Sequence, residues 1–149
     1  MVSPVEPVLL AMERNWEMID GALEGLDEAA MARFQDLPQA WITEGWHKKF
    51  GMPADEDDRG VGWSAEQVSQ WKPPSREIQI AHYEALKNHT RDFLTNATTE
   101  QLEREIVMGD VPEPRPVAVC MGQMVWDTVA HGGQIAYLRG FFRGMGWFR

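Results

Sequence analysis

Asp127 and His131 stand four residues apart in the run Val125-Trp126-Asp127-Thr128-Val129-Ala130-His131. On a helix this spacing puts both on one face, about 6 Å apart along the axis, so a carboxylate and an imidazole can lean together onto one ion. The ordinary alternative is a hydrogen bond between the two with no metal involved. The remaining histidines suit ligation less well. His82 and His89 lie on or beside one apolar stripe but roughly 10 Å apart along a helix, too far to share an ion, so core or hydrogen-bonded roles are expected for each. His47, next to Lys48 and Lys49, is expected to be exposed and is the spare candidate for a third ligand. Asp55, Asp57, Gly60 and Glu66 fall on positions 1, 3, 6 and 12 of an EF-hand loop. Arg59, however, puts a cation where an oxygen ligand belongs, so a solvated acidic loop is expected instead. Cys120 has no histidine spaced to activate it and is expected to be a small buried residue.

Helices must position these groups. Val5, Val8, Leu9, Met12, Trp16, Ile19, Leu23 and Leu26 recur every three or four residues, which predicts a first long helix ending near Gly25. Ser75, after Pro73-Pro74, predicts the N-cap of a second, running to about Ala97 with Ile78, His82, Leu86, His89, Phe93 and Ala97 on its buried side. A third begins near Val117 and ends among the glycines at 140, 144 and 146; its stripe of Met121, Met124, Thr128, His131, Ile135, Leu138 and Phe142 places His131 in the middle of an apolar seam. Between these helices, Ser64-Ala65-Glu66-Gln67 is a capping box opening a short helix, and residues 98–116, with three prolines, predict a connection holding at most one short helix. No segment alternates like a strand. The class is all-α.

The run Val125 to Gly140, with His131-Gly132-Gly133-Gln134-Ile135 at its centre, resembles the final helix of the DinB-like (YfiT-like) family of metal-binding four-helix bundles. A second block, Ala40 to Pro53 with Trp41-x-x-x-Gly45-Trp46, is similar to that family's connection between its second and third helices. The resemblance implies an up-down four-helix bundle and a site of three histidines, one of them at His131 and another replaced here by Asp127, itself a legitimate oxygen ligand. The third histidine of the family stands on a helix between the first helix and the tryptophan block. Here only Leu26 to Ala40 occupies that interval, too short for a bundle helix with its connections, and it contains no histidine. Either this chain borrows a helix from a partner, or a stretch is missing from the sequence near Ala32 and Arg33. The second alternative is favoured, and it predicts a spatial break between Ala30 and Leu37.

Composition sets the outer bounds. Fourteen Lys and Arg against 23 Asp and Glu leave a net charge of −9, which argues against nucleic acid and anionic membranes as partners. At 149 residues and 44% hydrophobic the chain is read as a single domain over 1–149. One cysteine and no apolar run long enough to span a bilayer make the cytoplasm the expected compartment. Seven tryptophans are expected as core or loop anchors, with Trp63 and Trp71 candidates to line a pocket. Three long helices and an apolar tail, Gly140 to Phe148, lack cover, so a homodimer is expected. Arg139 would suit an anion of a substrate or an internal carboxylate. The expectation is therefore a DinB-like protein holding a divalent ion (Zn, Ni or Mn) at Asp127 and His131, acting on an unknown small-molecule substrate as a metal-dependent hydrolase or thiol-dependent transferase. The alternative is a non-catalytic binding or dimerisation module in which Asp127 and His131 are a buried hydrogen-bonded pair.

Overall fold

Pro7 fixes a backbone angle suited to a first helical turn, the apolar residues behind it recur at helical spacing, and the result is α1, Glu6–Leu23. The computed structural model describes residues 5–24, 38–55, 58, 62–108 and 111–147. Two further long helices are α5, Arg76–Asn96, and α7, Val117–Arg143; α2 (Pro38–Thr43), α3 (Trp46–Lys49), α4 (Ala65–Gln70) and α6 (Thr99–Glu103) are short. The protein is mostly helical, and the three long helices are those that the hydrophobic periodicity predicts. The expected break between Ala30 and Leu37 lies outside the described residues.

One expectation is corrected between α6 and α7. Instead of plain connection, β1 (Glu105–Met108) pairs antiparallel with β2 (Val111–Pro116), with an irregularity between Ile106 and Met108. Pro112, Pro114 and Pro116 occupy alternate positions, so their missing N–H groups all belong to one edge of the strand, and the other edge keeps its donors for the ladder. The hairpin leads directly into α7, whose first N–H, on Val117, donates to the Arg104 carbonyl at 2.9 Å.

The chain divides into two compact units, Met1–Gly25 with Asn88–Arg149, and Leu26–Lys87. In the first, α1 packs on α7. Met12, Asn15, Trp16, Ile19, Ala22 and Leu23 are buried on α1, and Cys120, Met121, Thr128, Gly132 and Ile135 on α7. Cys120 is buried as expected. Contact is closest at Gly132, where an added Cβ would lie 2.6 Å from Asn15 Oδ1, while Asn15 Nδ2 donates to the Thr128 carbonyl at 3.2 Å. On the other side of α1, Arg91 Nε and Nη2 donate to Glu13 at 2.8 and 3.3 Å, with the guanidinium carbon 5.2 Å from the Trp16 ring centre.

The second unit is built around aromatic rings. His82 is enclosed by Trp46, Phe50 and Trp41 at ring-centre distances of 4.9, 5.1 and 5.6 Å. Gly45, at φ 72°, makes the sharp turn from α2 to α3 that brings Trp41 and Trp46 to the same histidine. The predicted capping box at the start of α4 forms in full: Ser64 Oγ accepts from Gln67 N, and Gln67 Oε1 accepts from Ser64 N. Trp63 and Trp71 meet edge to face at 6.3 Å.

The buried face of α5 also differs from expectation. Gln79, His82, Tyr83, Lys87 and Leu94 are buried, while His89 and Phe93 are exposed. Polar side chains occupy buried positions because they bring partners. Gln79 Nε2 donates to the Pro74 carbonyl at 2.7 Å, and Lys87 Nζ pairs with Glu84 at 2.8 Å and lies 4.7 Å from the Tyr83 ring centre.

Candidate functional site

Asp127 and His131 project from the same side of α7, as their spacing requires. His131 Nε2 stands 3.6 Å from Asp127 Oδ1, and the two side chains are 37% and 46% exposed. Neither is in the middle of a buried seam, which corrects the expected stripe. The face of α7 that meets α1 runs through Met121, Thr128, Gly132 and Ile135, because Gly132 lets α1 approach. His131, one position earlier, is thereby turned about 100° away from Gly132, to the rim of that contact. The pair is thus half-exposed, and its separation is longer than a good hydrogen bond.

A second contact on His131 comes from a residue with no role assigned by spacing alone. His131 Nδ1 lies 3.0 Å from Gln134 Oε1, three residues on, so the imidazole has a hydrogen-bond partner on one side and the Asp127 carboxylate on the other. Gln134 is within the run that resembles the DinB-like final helix, and its offset of three was the available signal. Asn15, which sets how α7 sits on α1, carries no such signal, since only the helix pairing reveals its hydrogen bond to Thr128.

Other candidate ligands are placed elsewhere. His47 is buried rather than exposed, its Nδ1 donating to the Trp41 carbonyl at 3.1 Å, and it belongs to the unit formed by Leu26–Lys87. His82 sits in its aromatic cage, where burial, the leading cause, with Lys49 adding and Glu44 opposing, holds its pKa down to about 4. A caged, neutral imidazole is the core role that the sequence predicts for it. Among the described residues no cluster of three or more His, Cys, Asp and Glu side chains converges as a metal cage. Asp57, Arg59 and Gly60 of the acidic loop lie outside the described residues, while Asp58 accepts a hydrogen bond from Trp63 Nε1 at 3.0 Å. Arg139 Nε and Nη1 are enclosed, and among the described residues neither has a hydrogen-bond partner. No helix among the described residues is long and apolar enough to cross a membrane.

No family model matches the chain, and no curated protein does. Its structure is similar to the crystal structure of a conserved protein of locus from Enterococcus faecalis, with a TM-score of 0.72 and 18% identity over 97% of this chain and 100% of that one. At that identity the likeness establishes a shared fold and nothing about activity.

Proposed function

We propose that the chain is a DinB-like, up-down four-helix-bundle protein that binds a divalent ion through Asp127 and His131 and acts on a small molecule as a metal-dependent hydrolase or a thiol-dependent transferase. The geometry of that pair carries the reading. When Nδ1 donates to Gln134 Oε1, Nε2 turns its lone pair toward the carboxylate oxygen 3.6 Å away. Two ligand atoms each about 2.1 Å from a tetrahedral ion stand roughly 3.4 Å apart, so the observed separation is close to a coordination edge. Gln134 is the outer partner that ligating histidines usually have, fixing tautomer and ring orientation. Half-exposure leaves further coordination positions for water, substrate or the third ligand that the family resemblance implies.

Once bound, the ion would supply Lewis-acid chemistry, lowering the pKa of a water or thiol at an open position. Asp127 contributes the anionic oxygen, His131 the neutral nitrogen, and Gln134 holds the ring in place. The native metal is left among Zn, Ni and Mn, since a mixed nitrogen and oxygen site follows availability as much as affinity. A single cysteine in the chain is in keeping with a cytoplasmic location.

Metal content of untagged protein is the test. Asp127→Ala and His131→Ala should each abolish stoichiometric Zn, Ni or Mn, Gln134→Ala should weaken binding roughly 10- to 100-fold, and His82→Ala and His89→Ala should leave it intact. Full metal retention by His131→Ala overturns the assignment.

A further inference from the structure

α7 is apolar on both sides. Its 27 residues carry three formal charges, Asp127, Arg139 and Arg143, in a chain that is 25% charged overall. A helix of that composition is normally enclosed on every side, and α1 covers only one face. On the opposite face Trp126, Tyr137 and Phe141 are 69%, 71% and 72% exposed, and Val119 and Val129 are exposed with them. These five residues follow one stripe, roughly 35 Å long from Ala118 to Phe141. Small residues, Ala118, Gly122, Ala130, Gly133 and Gly140, lie along the same face. An added Cβ at Gly122 or Gly133 would meet nothing within 4 Å. Glycine is unfavourable inside a helix, and none of the described residues needs the space at those two positions.

The order of large and small residues on the stripe is self-complementary. When α7 is laid antiparallel on its own copy about a two-fold axis between Val129 and Ala130, Trp126 meets Gly133, Tyr137 meets Gly122, Phe141 meets Ala118, Val119 meets Gly140, and Val129 meets Ala130. Every large side chain then faces a small one, in both directions, as an isologous interface requires. Full aromatic side chains present about 150–250 Å² each, so the exposed parts of these three amount to on the order of 400 Å². That is about half of the ~800 Å² that each partner of a stable complex buries; the valines, the small residues and the flanking polar side chains lie where they would add the rest. We infer that α7 docks antiparallel on α7 of a second copy of this chain, with Trp126 of each seated over Gly133 of the other. The inference does not depend on the metal reading.

Sedimentation equilibrium of the full chain at micromolar concentration should give twice its 17.0 kDa. Gly133→Leu, which has free space within its own chain, and Trp126→Glu should each raise the dissociation constant about 30-fold or more while leaving helical circular dichroism unchanged. Ala130→Cys, next to the axis, should cross-link to its own copy under mild oxidation, and Gln123→Cys, placed opposite Ala136, should not. A mass of 17.0 kDa for the unmodified chain overturns the proposal. So does a dimer indifferent to both Gly133→Leu and Trp126→Glu, or efficient cross-linking through Gln123→Cys, which marks a parallel pairing.

Discussion

Gly132→Ala should destabilise the protein even though alanine is the better helix former. The new Cβ would lie 2.6 Å from Asn15 Oδ1, 3.0 Å from Met18 Cε and 3.2 Å from Ile19 Cδ1. The two hydrocarbon ends can yield a few tenths of an ångström. Asn15 cannot do so cheaply, because it is buried and its Nδ2 donates to the Thr128 carbonyl at 3.2 Å, so turning Oδ1 away also withdraws the donor. Leaving that amide unsatisfied costs about 1–3 kcal/mol, and crowding the helix contact adds about 1–3 kcal/mol. Removing glycine from a helix interior returns about 1 kcal/mol. Taking the lower part of each range, the net loss is about 2 kcal/mol, or a fall in Tm of roughly 4–8 °C for a chain of this size. Thermal and urea unfolding followed by circular dichroism would read it. In an Asn15→Ala background the same substitution should cost at least about 1 kcal/mol less, since the clashing oxygen is gone. A Gly132→Ala protein as stable as the parent would refute the reasoning, because it would mean that α1 and α7 do not meet closely at this point. The substitution also bears on the proposed metal site, since the Gly132 contact turns His131 to the rim of the α1–α7 packing.

The long helices were legible because each has its own periodic signal over 18 residues or more. What periodicity could not supply was rotation. For α7 the residues Thr128, His131, Gly132 and Ile135 are all compatible with an inward face, and the choice is made by a partner helix whose Asn15 needs space at position 132. For α5 the buried face includes Gln79 and Lys87, residues that a hydrophobic wheel assigns to solvent, because it cannot see the Pro74 carbonyl or the Tyr83 ring that receive them. His47 was misplaced for the same reason. Its two lysine neighbours suggest a surface, yet at the start of α3 its imidazole is inside, fixed by the Trp41 carbonyl. Local chemistry read better than tertiary chemistry. The Ser64 capping box is complete within four residues and forms as predicted, whereas the equivalent box at Thr98 was absorbed into a stretch dominated by its prolines. At the candidate site the sequence specified the i,i+4 pair and its helix, while the 3.6 Å separation and the Gln134 contact depend on side-chain rotamers that spacing does not determine.

Thr98→Ala removes one half of the capping box in which Thr98 Oγ1 accepts from Gln101 N at 3.2 Å and Gln101 Oε1 accepts from Thr98 N at 2.8 Å. It should cost about 1 kcal/mol and lower hydrogen-exchange protection in α6 roughly fivefold, with α1 unaffected; unchanged exchange at Gln101 and Leu102 would contradict it. The acid limb of stability should be set in part by His82. Burial among Trp41, Trp46 and Phe50 holds its folded pKa down to about 4, against 6.5 for the free side chain. Between those two values the unfolded chain takes up a proton that the folded chain refuses, so the sign of the linkage is that stability rises with pH. The contribution is complete above pH 6.5, declines as pH falls through the window, and levels off below about 4, having lost roughly 3 kcal/mol. His82→Phe keeps an aromatic ring in the cage and removes the proton, so its unfolding free energy should lose this slope whatever its absolute stability. Parallel pH profiles for the parent and His82→Phe across that window would show that the imidazole is reached by water and protonated in the folded state, and that the aromatic cage does not exclude charge.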